Sequence, residues 1–137
     1  MNIPSVYPDT SALNFIDSLC KHGDTIIFSA ALPNQGGQNH LNEQWKEYWI
    51  NMFAKHEFQP YDLLRPMIWN MKEVDYWYKQ NIIVFSRHNL SHLKSNDNII
   101  LETIHPEMFT EKLDWYSNYI KGLFDQISDL EKKLSKK

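Results

Sequence analysis

The chain has 137 residues, 42% of them hydrophobic and 23% charged, which excludes an intrinsically disordered protein and is enough for one domain with a modest core. Its formal net charge of −3 argues against sequence-independent nucleic-acid binding, which needs a basic surface to displace counterions. No run of about 18 apolar residues is present, so neither a membrane-spanning helix nor a membrane partner is expected.

The cysteine count and the N-terminal residues bear on the cellular compartment. Cys20 is the single cysteine, so no internal disulfide can form and a cytoplasmic location is the default expectation. The first ten residues lack a basic segment followed by an apolar one, so no signal peptide is predicted. Cys20 lies near the apolar face of a predicted helix, without an evident basic activator. We interpret it as a core side chain rather than a nucleophile.

The first predicted helix begins at Asp9 or Thr10, since either side chain can serve as the N-cap. Apolar residues then recur at helical spacing, and Gly23 can end the helix in a left-handed conformation. The next segment, Thr25–Leu32, is apolar without alternation. Such a run is typical of a strand that is buried on both faces of an α/β sheet.

A loop is predicted for residues 33–41 from their Pro, Gly and Asn content. A helix over Asn42–His56 follows, with Asn42 as its N-cap and with its aromatic and apolar residues on one face. Phe58–Leu64 is the second predicted strand, although Pro60 confines its start to an edge or irregular position.

Residues 67–78 are predicted to form one short helix or two helical turns, anchored by Val74, Trp77 and Tyr78. The third predicted strand is Asn81–Ser86. Helices and strands therefore alternate along the chain, which is the order of an α/β protein.

The last third of the chain has a different pattern. Residues 88–106 form a predicted linker between a domain at residues 1–87 and a helix at residues 107–137. Apolar residues of this helix are spaced alternately three and four apart, as in a heptad repeat. They are Leu113, Tyr116, Ile120, Leu123, Ile127, Leu130 and Leu134. This stripe has to pack on another helix in a homo-oligomer or along the chain's own domain, and the pattern does not choose between these two partners.

Two motifs carry a family resemblance. The first is Ser29-Ala-Ala-x-Pro33-x-Gln35-Gly36-Gly37-x-x-His40-x-Asn42-Glu43-Gln44-Trp45. The second is Leu64-Arg65-Pro66-x-x-Trp69, followed by Val74-x-x-Trp77-Tyr78-x-Gln80-Asn81. In order and spacing they make residues 3–87 similar to the C-terminal half of class I S-adenosylmethionine-dependent methyltransferases of the bacterial type. The resemblance does not extend to residues 88–137.

The resemblance implies a partial Rossmann-like methyltransferase sheet. Thr25–Leu32 would be the family's fifth strand, and Phe58–Leu64 and Asn81–Ser86 would be its sixth and seventh, with the seventh inserted antiparallel. Ile3–Tyr7 would be the end of the fourth strand, and the helix Asn42–His56 would cover the sheet between strands five and six. Without the earlier strands, the fifth strand would present an exposed apolar edge.

The resemblance also implies S-adenosylmethionine as the methyl donor, which the family holds with a glycine-rich loop after its first strand and an acidic residue at the end of its second. The four glycines, at positions 23, 36, 37 and 122, form no Gly-x-Gly-x-Gly run. We therefore expect a truncated or split methyltransferase that does not bind the donor tightly alone and whose partner chain carries the donor-binding half. The alternative is a non-catalytic interaction module that oligomerises through its C-terminal helix.

The first group of candidate site residues lies in the loop after the first strand, because ligands of α/β sheets bind beyond the carboxyl ends of strands. His40 is a candidate base for an acceptor hydroxyl, or a histidine that bridges the loop. Gly36 and Gly37 allow a tight turn or a close approach to a ligand. Asn42 and Glu43 are candidate substrate-binding residues, with helix capping as their competing role.

The second group lies in the downstream motif. Arg65 either binds an anionic group of the acceptor or pairs with a neighbouring carboxylate. Trp69, Trp77 and Tyr78 either line an acceptor pocket or belong to the core.

No metal site is expected. His88 and His92 have the i, i+4 spacing that can hold a metal on a helix, but the segment is not convincingly helical and offers no clear third ligand.

Overall fold

The structure, a computed structural model, describes residues 9–37, 41–93 and 103–135. The chain divides into two compact units, Met1–Thr103 and Ile104–Lys137. The first unit is mixed α/β and contains a three-stranded sheet, and the second contains one long helix. The expected small sheet, flanking helices and long C-terminal helix are therefore confirmed at this level. The expectation for Ile3–Tyr7 lies outside the described residues.

The described elements follow one another in the predicted order. The helices are α1 (Asp9–Cys20), α2 (Lys46–Ala54), α3 (Arg65–Ile68), α4 (Tyr76–Asn81) and α5 (Pro106–Leu134). The strands are β1 (Thr25–Phe28), β2 (Gln59–Tyr61) and β3 (Ile83–Ser86). Within the predicted linker, Ser91–Leu93 form a short 3₁₀ turn.

The sheet has the strand order β1-β3-β2, and β3 runs antiparallel to both neighbours. Thr25 pairs with Ser86 and Phe28 pairs with Ile83 at the two ends of the β1–β3 ladder. The strands are shorter than predicted because β3 offers only four residues to pair with. Pro60 lies in β2, at the edge of the sheet, where its missing N–H costs no ladder hydrogen bond. Its expected edge position is confirmed.

Gly23 does not end α1 in the left-handed conformation that was expected of it. The positive φ angles recorded for glycines are those of Gly36 and Gly37, so Gly23 is not a left-handed cap. Instead, the helix tightens at its end, where the N–H of Lys21 donates to the carbonyl of Ser18 at 3.2 Å and that of His22 donates to Leu19 at 3.0 Å. Such i to i−3 bonds satisfy terminal carbonyls without a glycine.

The start of α2 lies four residues later than predicted. The helix begins at Lys46, its N-cap is Trp45, and no side chain caps it. Asn42 is therefore not the N-cap. The chain before the helix is held instead by the loop, because the N–H of Gln44 donates to the carbonyl of Ala31 at 3.2 Å.

The predicted helical segment at residues 67–78 is two separate short helices, α3 and α4; Val74 is half-buried, and the two other predicted anchors are wrong. Trp77 and Tyr78 are exposed, whereas Tyr76, Gln80 and Asn81 are buried in α4. The rotation of this helix is set by buried polar side chains, which hydrophobic periodicity does not detect.

The core is built from stacked and edge-on aromatic rings around β3, whose four residues are all buried. The ring centroids of Phe53 and Phe85 lie 3.9 Å apart with an interplanar angle of 15°. Phe28 meets Phe53 edge-on at 5.3 Å, and Phe58 lies 5.9 Å from Phe53 on a third side. Such pairs add about 0.5–1.5 kcal/mol to the burial of their area. This cluster contains four of the chain's seven phenylalanines.

Arg87, which directly follows β3, joins three segments at one end of the sheet. Its guanidinium donates to Oδ1 of Asp24 at 2.9 Å, to the carbonyl of Cys20 at 3.1 Å and to the carbonyl of His56 at 3.1 Å. The same group lies 4.4 Å from the ring centroid of Phe58. Five fixed N–H donors make arginine suited to such a junction.

Cys20 is 3% exposed, and burial raises the pKa of its thiol. A raised pKa means less of the reactive thiolate at a given pH. We expect Ellman's reagent at pH 8 to modify the folded protein slowly and the urea-denatured protein at the rate of a free thiol. Because Cys20 is the only cysteine, the absorbance change reports this residue alone. Fast stoichiometric reaction of the folded chain would contradict its placement in the core.

The second unit is dominated by α5, a helix of 29 residues. Nδ1 of His105 accepts the backbone N–H of Glu107 at 3.3 Å and so caps the helix start. Lys132 and Lys133 occupy the last turn, where positive charge suits the helix dipole. A Cβ added at Gly122 would meet no atom within 4 Å, so packing does not require glycine there. Among the described helices, none has the length and apolar character needed to cross a membrane.

Candidate functional site

The two sequence motifs meet at the side chain of Gln35. Its buried Oε1 lies 3.1 Å from the N–H of Leu32, 3.2 Å from Nε2 of Gln80 and 2.8 Å from Nδ2 of Asn81. The loop after β1 is thereby tied to the last turn of α4, although the two segments are 45 residues apart. Sequence reasoning assigned no role to these three side chains. The sequence signal for their contact is that Gln35 belongs to the first motif and that Gln80 and Asn81 belong to the second.

Glu43 braces the same loop from its exposed side. Its Oε2 accepts the N–H of Asn34 at 2.8 Å, and its Oε1 accepts the N–H of Gly36 at 3.0 Å. The loop can turn this tightly because Asn34, Gly36 and Gly37 have φ angles of 64°, 78° and 132°, where glycine is favoured. Of the two roles considered for the glycines, the tight turn is present. Glu43 lies before α2, so the expected helix-dipole role is wrong and its carboxylate stabilises the loop instead.

The remaining candidates of the loop are Asn42 and His40. Oδ1 of Asn42 accepts Nε2 of Gln44 at 3.0 Å, and Asn42 also lines a surface groove described below. His40 lies outside the described residues. Its role as a base therefore stays a prediction.

Arg65 is buried and forms a bidentate pair with a carboxylate of its own chain. Its Nε lies 2.9 Å from Oδ1 of Asp62 and its Nη2 lies 2.6 Å from Oδ2, while Nη1 donates to the carbonyl of Gln80 at 3.4 Å. This geometry matches the structural alternative considered for Arg65. An anionic acceptor would have to displace Asp62 to reach the guanidinium.

The aromatic candidates do not converge on one pocket. Trp69 is half-buried just after α3. Trp77 and Tyr78 are exposed, with the ring of Trp77 5.2 Å from Tyr76 and 6.3 Å from Tyr78. Trp77 and Tyr78 thus neither belong to the core nor line an acceptor pocket.

A groove of about 520 Å³ lies beside β1. Its lining includes Phe15, Leu19, Ile26, Ile27, Leu41 and Trp49. Within the described residues β1 pairs with β3 on one side only, and the side chain of Ile27 is 63% exposed. The groove is therefore an apolar surface next to a strand edge that has no partner in the described part of the chain, and such an edge is a template for adding another strand.

Trp49 lines this groove and carries a buried polar atom. Its indole is buried against Phe28, with ring centroids 5.1 Å apart. Its Nε1–H has no hydrogen-bond partner among the described residues. A buried donor left in this state costs about 1–3 kcal/mol.

Comparisons of the chain with protein-family models, with curated proteins and with solved structures found no match. The functional interpretation therefore depends on the two motifs and on the geometry around them.

His88 and His92, the two histidines considered as metal ligands, belong to no group of three metal-ligating side chains among the described residues. Nε2 of His88 lies 3.8 Å from Oδ2 of Asp24 at the surface, and His92 lies in the 3₁₀ turn. Across residues 9–37, 41–93 and 103–135, no three His, Cys, Asp or Glu side chains are grouped so that they can hold a metal ion.

Proposed function

We propose that this chain is the C-terminal half of an S-adenosylmethionine-dependent methyltransferase and that it acts with a donor-binding half on a partner chain. The strand order carries the proposal. β3 lies between β1 and β2 and runs antiparallel to both. Strands that follow one another in sequence usually become neighbours, so an insertion that separates β1 from β2 is a distinctive feature. The resemblance implies such an inserted strand.

The docking site in this proposal is the edge of β1 that pairs with no strand among residues 9–37, 41–93 and 103–135. A strand of the donor-binding half would pair with the unpaired edge and place apolar side chains in the groove beside Ile26 and Ile27. This contact would bury Ile27 and would extend the sheet towards the Rossmann-like form that the family has. The partner would bring the glycine-rich loop that this sequence does not contain.

The role of this chain in catalysis would be to position the acceptor. Methyl transfer is an in-line displacement, so its rate depends on the alignment of acceptor and donor. The loop after β1 is suited to alignment because its backbone donates one hydrogen bond to Gln35 and two to Glu43, and two further hydrogen bonds tie the Gln35 side chain to α4. His40 lies in the same loop and remains the candidate base. The sole cysteine is compatible with the cytoplasmic location that the proposal assumes.

The first test is calorimetry of the isolated 137-residue chain with S-adenosylmethionine. We expect no heat above background, because no backbone loop or acidic residue for the donor is evident in this sequence. Micromolar binding by this chain alone would contradict the split arrangement.

The second part of the test adds the partner. The candidate is a polypeptide encoded next to this chain that carries a glycine-rich strand-loop-helix. We expect the mixture to bind the donor and Ile27→Glu to abolish that binding, since a carboxylate would be buried against the docked strand. Asn70→Glu, at an exposed turn, should leave binding intact. Equal loss or equal retention in the two variants would contradict docking at β1.

A second candidate function is a non-catalytic interaction module. The observation that favours it is the exposed apolar stripe of α5. It predicts assembly through that helix whether or not any donor or donor-binding half is present.

A further inference from the structure

The apolar stripe of α5 is longer than the seven residues that the sequence pattern predicts. Counting back four residues from Leu113 adds Phe109, so that eight residues alternate between the a and d positions of a heptad. The a positions are Leu113, Ile120, Ile127 and Leu134, and the d positions are Phe109, Tyr116, Leu123 and Leu130. All eight side chains are between 41% and 71% exposed. The stripe runs along a helix of 29 residues, which is about 43 Å long at 1.5 Å per residue.

We infer that α5 pairs in parallel with α5 of a second copy of this chain, as a two-stranded coiled coil. The residue types at the centre of the stripe specify this arrangement. Ile120 and Ile127 occupy a positions, and Leu123 and Leu130 occupy d positions. β-Branched residues at a with leucine at d favour two parallel strands, because the two side-chain shapes fit the different packing angles of these layers.

The flanking positions are compatible with the parallel arrangement. In a parallel pair, each g residue faces the e residue of the following heptad on the other helix. Tyr119 would face Phe124 of the second copy, and Gln126 would face Glu131. Tyr119 and Phe124 are both exposed, so their contact would widen the apolar interface without opposing like charges.

The antiparallel arrangement is disfavoured by charge. If Leu113 were opposite Leu130 of the second copy, Ile120 would be opposite Leu123 and the whole stripe would still be paired. In that register, however, Lys112 would face Lys133 at each end of the interface. Like charges placed opposite each other oppose association and are a common means of fixing orientation.

The first experiment is sedimentation equilibrium of the full chain at micromolar concentration. We expect twice the chain's mass of 16.4 kDa and expect Ile120→Glu to sediment as a monomer, because two carboxylates would meet in one layer. Asn118→Glu is the matched control, since it adds the same charge at an exposed f position on the other side of the helix. A monomeric or trimeric native chain, or an Ile120→Glu variant that remains dimeric, would overturn the inference.

The second experiment fixes the orientation and does not depend on a destabilising variant. In a Cys20→Ala background, Leu130→Cys should form a disulfide-linked dimer on mild oxidation, because a d residue meets its own copy in a parallel pair. In the antiparallel pair the two sulfurs would be separated by about 25 Å along the helix, too far for a disulfide. An equimolar mixture of Leu113→Cys and Leu130→Cys chains distinguishes the two arrangements. Linked dimers of each variant with itself support the parallel arrangement, and linkage of one variant to the other would overturn it.

Neither experiment involves a methyl donor. Failure of the dimer would leave the proposed methyltransferase half intact, and failure of donor binding would leave the dimer intact.

Discussion

Phe53→Ala is expected to lower the free energy of unfolding of the first unit by about 3–5 kcal/mol, the range measured when a buried phenylalanine is truncated. Phe53 is fully buried and its ring contacts those of Phe28, Phe58 and Phe85. Truncation removes all three ring contacts and leaves a cavity at the centre of the core. Since a small domain is stable by only about 5–15 kcal/mol, the variant should be close to its unfolding threshold.

Urea unfolding followed by tryptophan fluorescence measures this change, because Trp49 is buried beside the same ring cluster. Phe15→Ala is the matched control: the residue type and the truncation are the same, but Phe15 is exposed at the groove. We expect the control to change the free energy of unfolding by less than about 1 kcal/mol. If both variants unfold within about 1 kcal/mol of the native chain, with unchanged denaturant slopes, the aromatic cluster does not form the core.

The elements that the sequence predicts well are those whose periodicity is local. The helix at Asp9, the three strands in order and the long helix after Pro106 are all present. Each is specified by a run of apolar residues with a clear period or by a cap or proline next to it. Their existence therefore follows from the residues themselves, without knowledge of the rest of the fold.

The ends of the strands are not predictable in this way. Ser29 to Leu32 continue the apolar run of β1, yet they leave the sheet because β3 provides no further partners. Leu32 is instead buried in the loop, where its N–H donates to the side chain of Gln35. The length of a strand is a property of the pair, and the pair is formed by residues that are about 60 positions apart in the sequence.

In the candidate site too, features set by neighbouring residues were predicted, whereas contacts between residues far apart in the sequence were not. The tight turn at Gly36 was among the predicted alternatives because glycine conformations are local. The contact of Gln35 with Gln80 and Asn81 was not predicted, since a buried polar cluster has no periodic signature. The same cluster explains why the predicted buried face of α4 is wrong, because it buries Gln80 and leaves Tyr78 exposed.

This polar cluster has a functional consequence under the proposed split arrangement. The backbone of the loop after β1 donates hydrogen bonds to Glu43, and the side chain of Gln35 accepts hydrogen bonds from the last turn of α4. All of these groups lie within this chain. Residues 33–37, the described start of this loop, are therefore held by this chain alone before any partner docks at β1. A preformed loop lowers the ordering cost of binding, so assembly at the strand edge would not have to build the acceptor side of the site.

Arg65→Ala is expected to lower the free energy of unfolding by about 3 kcal/mol, at the lower end of the range for breaking a buried ion pair. Arg65 is buried and Asp62 is half-buried, so removal of the guanidinium leaves a carboxylate with poor access to water. The carbonyl of Gln80 also loses a donor. Because α3 and α4 are joined through this contact, the polar cluster around Gln35 should loosen at the same time.

Two comparisons separate this effect from the loss of any surface ion pair. Lys21→Ala removes the exposed partner of Asp17, one helical turn away, and should cost less than about 1 kcal/mol. Arg65→Met with Asp62→Leu replaces both charges by apolar groups, and it should be more stable than Arg65→Ala alone because no unpaired buried charge remains. Urea unfolding of these three variants and of the native chain measures these differences. A cost for Arg65→Ala no larger than that for Lys21→Ala would mean that Arg65 is not held by Asp62, and the guanidinium would again be a candidate for binding an anionic acceptor.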